Sequence, residues 1–239
     1  MSESQTDDGG LQLTLSIWHP KCWTLEVTDE TAAGLLAHGV YNTQNQNVKG
    51  LFTAYADSIS DVEELIEATR DSELTESVLE LRERHGATGT GSPPGNTTRE
   101  LFVEYDPDNT ISDSLLSRGF IHNDPVRVRH GREHWPVFFP GTRDEAEAAI
   151  DEIREERDAD VEVTRITSAG GSNPQQLRRM DRLSDSQREA FELARQEDYY
   201  AWPRGISTRE LASELGVSKT TLLEHLRKAE AKLLDPDPR

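Results

Sequence analysis

The side chains with the most evident chemistry lie near the end of the chain. Arg209, Ser218, Lys219, Thr220, Thr221, Leu223, Glu224, Arg227 and Lys228 combine cations, hydroxyls, a carboxylate and one apolar tip. Such groups can hydrogen-bond base edges or neutralise phosphates. Spacing gives those from Ser218 onward one side of a helix, with Arg209 on the short helix before it. Leu222, Leu226 and Ala229 recur at helical intervals and face inward. Ser218, Lys219, Thr220, Leu223, Glu224 and Arg227 then face outward, with Thr221 beside them. Lys219, Thr220, Glu224 and Arg227 are expected at base edges, and Arg209, Ser218 and Lys228 at phosphates.

A second set of groups could bind metal. Trp18-His-Pro-Lys-Cys-Trp23 places His19 and Cys22 three apart, flanked by two tryptophans. Imidazole and thiolate suit a soft transition metal. His130 and His134 flank a predicted hairpin turn and could approach each other. Against a metal, the chain lacks CxxC and has no HxxxH on a clear helix. A lone cysteine is more often a small buried hydrophobe than a reactive thiol. These four residues are therefore weak candidates, and no cofactor is expected. Thiol redox sensing at Cys22 is a further option. Trp18, Trp23 and Trp135 read as core. No GxGxxG, Walker-type loop or GxSxG is present, and Gly86–Gly95 lacks a GK[ST] ending, so an enzyme is not expected. Glu63-Glu64 and Glu155-Glu156 read as solvated helix faces.

The elements that must carry the first set are legible. Ser184-Asp-Ser-Gln187 fits a capping box opening a helix, with Phe191, Leu193, Ala194 and Tyr199 on its apolar side. Trp202-Pro-Arg-Gly205 breaks the chain. Ser207-Thr-Arg-Glu210 is a second capping box, opening a short helix with Leu211, Ala212 and Leu215 inward. Gly216 ends it, Val217 fills the turn, and Ser218 caps the next helix. A small residue at 212, a glycine four later and branched plugs at 217 and 222 predict a helix-turn-helix, whose last helix enters a major groove. The bland alternative is a helical hairpin packed on another protein.

On these residues, Leu183–Leu234 resembles the C-terminal helix-turn-helix of the bacterio-opsin-activator family of halophilic archaea. The resemblance is carried by Leu183–Phe191, Tyr199-Tyr200, Pro203–Gly205, Ser207–Ala212, Leu215–Ser218 and Leu222–Ala229. It covers about 50 of the 239 residues. It implies a transcription regulator and accounts for the acidity described below. Larger members carry PAS- or GAF-type sensors ahead of this part. No such region is recognisable in this sequence, so their trigger is not carried over.

Two upstream segments look like copies of one unit. Leu35-Leu36-x-x-Gly39-Val40 recurs as Leu115-Leu116-x-x-Gly119-Phe120, and Trp18-His-Pro20 matches Tyr105-Asp-Pro107. Helices at Asp61–Arg70 and Asp144–Arg157 correspond, as do strands from Val78 and Val161. The second copy reads as a strand at Leu101–Tyr105, a helix at Ser112–Arg118 ended by Gly119, a hairpin of Val126–His130 with His134–Phe139, a helix capped by Thr142 or Asp144, and a last strand through Val161, Val163 and Ile166. The first copy reads as Leu11–Ile17, a helix near Thr31–Ala37, strands near Tyr41 and Val48–Ala56, a helix at Asp61–Arg70 and a strand at Ser77–Glu83. The expected class is α+β: tandem ferredoxin-like, ACT-like βαββαβ units followed by an all-α helix-turn-helix domain. The expected parts are a tail at 1–10, units at 11–85 and 99–167, linkers at 86–98 and 168–180, and the helix-turn-helix at 181–239.

Charge bears on the partner. Lys and Arg number 26 against 45 Asp and Glu, a formal net charge of −19. Residues 1–180 hold 16 basic and 33 acidic side chains, whereas 181–239 hold 10 and 12. The acidity thus belongs to the region upstream of the predicted DNA-contacting part. It matches a high-salt cytoplasm, where the Debye length of about 3 Å removes long-range repulsion from DNA. No apolar run approaches the roughly 18 residues of a membrane span, and MSESQTDDGG is no secretory signal. The expectation is a cytoplasmic regulator binding double-stranded DNA as a homodimer, with a small-molecule effector at the upstream units as a further option. The alternatives are an adaptor of the transcription machinery and a metal- or small-ligand-binding protein.

Overall fold

A computed structural model describes residues 10–42, 48–81, 97–106, 110–122, 124–168, 180 and 182–234. These residues form two compact units, one within 10–168 and one within 180–234. The expected tail, up to residue 9, and the bulk of both expected linkers, 86–96 and 169–179, lie outside the described residues.

The first unit begins with β1 (Leu11–Trp18), α1 (Trp23–Glu30), β2 (Gly34–Asn42), β3 (Val48–Ala56), α2 (Ile59–Asp71) and β4 (Thr75–Leu81). It continues with β5 (Thr97–Tyr105), α3 (Ser112–Ser117), β6 (Ile121–His122), β7 (Val126–Arg129), β8 (Arg132–Phe139), α4 (Arg143–Arg157) and β9 (Asp160–Ser168). The nine strands form one sheet in the order β4-β5-β3-β2-β7-β8-β1-β9, with β6 beside β8 and antiparallel pairing throughout.

Two self-contained units are not what the sheet contains. In a split βαβ unit the opening strand lies between the third and fourth strands. Here β5 occupies that place between β3 and β4, and β1 occupies it between β8 and β9. The opening strands of the two segments are exchanged. The cores follow the exchange. Leu101, Val103 and Tyr105 of β5 pack with Phe52, Ala54, Leu65 and Trp23. Leu13, Leu15 and Ile17 of β1 pack with Trp135, Val137, Ile150 and Val161. β1 alternates apolar and polar residues and β5 is apolar through Leu101-Phe-Val103, so either half can bury either strand, and the choice is tertiary.

Several local expectations shift. The helix expected near Thr31–Ala37 is absent there; α1 lies earlier, and Leu35-Leu36 belongs to β2, which is hydrogen-bonded to β3 and β7. Strand pairing on both sides overrides a weak helical preference. Leu115-Leu116 does lie on a helix, α3, so that sequence match joins a strand to a helix. Thr97 and Thr98, expected in a linker, pair with Ala56 and Tyr55. Two features hold as read. Thr142 caps α4 in a full capping box. Gly119, at φ +88, ends α3 with Phe120 N–H donating to the Leu115 carbonyl at 3.1 Å.

Candidate nucleic-acid interface

The second unit contains α5 (Asp185–Gln196), α6 (Thr208–Glu214) and α7 (Lys219–Leu234). Both capping boxes form. Ser184 accepts from the Gln187 N–H, Ser207 accepts from the Glu210 N–H, and each third residue reaches back to the cap backbone. These bonds satisfy orphan donors at both helix starts.

The turn between α6 and α7 is a Schellman motif. Gly216 has φ +66, its N–H donates to Ser213 and the Val217 N–H donates to Ala212 at 3.0 Å. Ala212, Leu211, Leu222 and Leu226 are buried around the angle, together with Ala190, Ala194, Tyr199 and Ile206, and Val217 packs on them. Gln187 is fully buried within the capping box, a packing role its polarity hid. Tyr200 donates its hydroxyl to Glu230 at 2.9 Å, tying the end of α5 to α7.

This core leaves one face of α7 outside. Lys219, Thr220, Glu224 and Arg227 are exposed there, as is Arg209 on α6. Leu223, Thr221 and Lys228 are half-buried. Ser218 is exposed, but its Oγ accepts the Thr221 N–H at 3.1 Å and lies 2.8 Å from the Thr221 hydroxyl, so both hydroxyls already serve the cap. Lys228 Nζ donates to Glu224 at 2.6 Å, and this contact holds the Glu224 carboxyl below its ordinary value. At about 1.5 Å per residue the 16-residue helix is long enough to cross a groove about 12 Å wide. It carries Lys219, Arg227, Lys228 and Lys232 against Glu224 and Glu230, a local cationic excess on an acidic protein.

The four metal candidates fare differently. His19 and Cys22 come together in the first unit. His130 sits at a hairpin turn with φ +50, followed by Gly131 at φ +65. His134 alternates with buried Glu133 and Trp135 along β8 and so takes the opposite sheet face. The histidines at 130 and 134 do not form a pair with His19 and Cys22; the residue that joins those two is Glu133.

A family model named HVO_2525_N, described as an N-terminal region, matches residues 12–159, more than half of the chain. The chain belongs to the HVO_2525_N family. A second model, described as an HTH DNA binding domain, matches residues 183–235 of this HVO_2525_N member. That domain is of the bacterio-opsin-activator type. Curated relatives match over the same stretch. A Haloferax volcanii protein provisionally named a transcriptional regulator is 46% identical over 54 residues, covering 23% of this chain and 9% of that protein. Transcriptional regulator NarO of the same organism is 40% identical over 55 residues, 23% of this chain and 26% of that protein. The dimethyl sulfoxide reductase transcriptional activator of Halobacterium salinarum is 44% identical over 52 residues, 22% of this chain and 23% of that protein. The HVO_2525_N member thus spans only a small part of the length of each. Among its described residues, no helix is long and apolar enough to cross a membrane.

Proposed function

We propose that this HVO_2525_N member is a sequence-specific DNA-binding transcriptional regulator of the cytoplasm, with its sheet unit acting as a sensory or dimerisation module. The observation that carries the reading is the division of α7: Leu222, Leu226 and Ala229 are buried, while Lys219, Thr220, Glu224 and Arg227 stand exposed along the opposite side. The regulator names of the relatives support it. The expected domain division, with two α+β segments ahead of the helix-turn-helix, is retained as one exchanged pair. A homodimer would set two α7 helices about 34 Å apart on a palindromic site. Arg209, Ser218 and Lys228 contact phosphates, and Lys219, Thr220, Glu224 and Arg227 read base edges, with Thr221 and Leu223 beside them.

The test is a chromatin-occupancy map followed by binding of the recovered fragments in molar salt. A sharp motif under the peaks is expected, and Arg227→Ala and Thr220→Ala should each weaken specific binding by about 1–3 kcal/mol while helicity persists. Unchanged binding by both variants rejects this recognition face. A second reading, a protein-interaction adaptor, draws on Trp202, which is 96% exposed beside the exposed Tyr200. Occupancy without a motif, lost on Trp202→Ala, would favour it.

A further inference from the structure

Three unlike donor groups converge inside the sheet unit. His19 follows the end of β1, Cys22 caps the start of α1, and Glu133 lies on β8. The exchange of β1 brings them together, because Ile17 pairs with Glu133 across β1 and β8. Lys21, at φ +57, turns the chain so that Cys22 returns toward that pair. All three are buried, His19 to 2% exposure. Their ligand atoms lie within 4.8 Å of one another.

His19 is the informative member. Its Nδ1 lies 3.3 Å from the Pro20 carbonyl oxygen, and its Nε2 has no hydrogen-bond partner among the described residues. A proton on Nδ1 leaves Nε2 as a bare lone pair directed into the cluster, the arrangement that orients a metal-binding imidazole. Two further donors hold Glu133 in place. Trp135 Nε1–H donates to its Oε2 at 2.7 Å, and the Thr24 hydroxyl donates to Oε1 at 3.3 Å. His19 Nε2, 3.9 Å from its Oε2, carries no proton in this tautomer and so supplies no counter-charge. A buried charge calls for a counter-ion or a metal.

The separations suit a metal. Tetrahedral bonds of about 2.0–2.3 Å put oxygen about 3.3 Å from nitrogen and about 3.5 Å from sulfur. Here Cys22 Sγ is 3.6 Å from Oε1, close to the sulfur–oxygen spacing, while His19 Nε2 is 3.9 Å from Oε2, the other oxygen of the same carboxylate. A dication held by one thiolate, one carboxylate and one neutral imidazole is also electrically neutral, which suits burial. A cleft of about 430 Å³, lined by His19, Cys22, His130 and Arg132 among others, reaches the cluster and provides an entry path.

We infer that His19, Cys22 and Glu133 form a binding site for a divalent transition-metal ion of the zinc class, through Nε2, Sγ and a carboxylate oxygen, with a fourth position open to the cleft. Binding replaces the thiol S–H bond with a metal–sulfur bond and releases the proton to solvent. The inference stands independently of DNA binding. It gives the sheet unit a ligand that clamps the β1–α1 junction of one segment to a strand of the other.

The test uses the full chain, purified without a histidine tag, stripped with chelator and titrated with Co²⁺ and then Zn²⁺ in molar KCl, which suppresses loose binding by surface carboxylates. One Co²⁺ per chain is expected, with visible bands of a tetrahedral ion and a near-ultraviolet sulfur-to-cobalt band that Zn²⁺ bleaches. Cys22→Ser should abolish the sulfur band. Glu133→Gln and His19→Gln should each weaken uptake by more than about tenfold, and His134→Ala, on the other sheet face, should not change it. If Cys22→Ser does not fold, the sulfur band of the unaltered protein and its loss of affinity in His19→Gln decide the matter. A folded unaltered chain without stoichiometric uptake, or uptake unaffected by the folded ligand variants, overturns the site.

Discussion

Ile17 on β1 stands directly opposite Glu133 on β8, so the opening strand of the first segment is built into the sheet half formed by the second. The reciprocal pairing joins Lys49 on β3 to Glu104 on β5, with Nζ 3.4 Å from the carboxylate. The exchange makes the two segments one folding unit and sets the place where groups from both can meet.

A disulfide reports the exchange directly. Lys49 and Glu104 are directly opposed and partly exposed, and opposed antiparallel residues lie within disulfide reach. Lys49→Cys with Glu104→Cys should cross-link within one chain on mild oxidation, seen as a mass loss of about 2 Da, one hydrogen per thiol, and a mobility shift. Two self-contained units would put β1, not β5, beside β3, and no cross-link would form.

The turn of the helix-turn-helix depends on one backbone angle. A Cβ at Gly216 would meet nothing within 4 Å, so a side chain there costs only the left-handed conformation. Gly216→Ala should lower the stability of this unit by about 1–2 kcal/mol in urea unfolding, and Gly216→Asn by less. Equal losses for both would show that space, not φ, is limiting.

The second capping box should be sensitive to acid. Hydrogen bonds from the Ser207 side chain and backbone hold the Glu210 carboxyl below its ordinary value. A depressed folded value means the stabilisation is complete above the ordinary carboxylate range and is lost as pH falls through the lowered value. The difference in urea midpoint between the unaltered chain and Glu210→Ala should therefore be full at neutral pH and shrink on acidification. A difference independent of pH would exclude the Glu210 half of the box.

Leu222 is fully buried at the crossing of α6 and α7. Leu222→Ala should destabilise the unit by about 2–5 kcal/mol, measured as loss of the α7 transition. Leu223→Ala, half-buried one residue further on and turned about 100° from that face, should cost far less. Similar costs would mean that the helix is rotated from the orientation described.

Local rules made much of the molecule readable. The capping boxes at Ser184, Ser207 and Thr142, the glycine ends at Gly119 and Gly216 and the inward trio Leu222, Leu226 and Ala229 each depend on residues within a few positions of one another. Spacing alone therefore predicts them, and with them the exposed face of α7. Other features needed partners from far along the chain. Leu35-Leu36 reads as helix until β3 and β7 pair with it. Leu15 fits the inner side of either sheet half, and only competition between β1 and β5 for the same slot assigns it. Glu133 looks like any acidic residue on an alternating strand; its role as the third donor beside His19 and Cys22 exists only because the exchanged strand carries them there. Short-range hydrogen bonding and periodicity are written in adjacent residues, whereas strand pairing is a choice among distant segments of similar pattern, and that choice is made by the packed sheet.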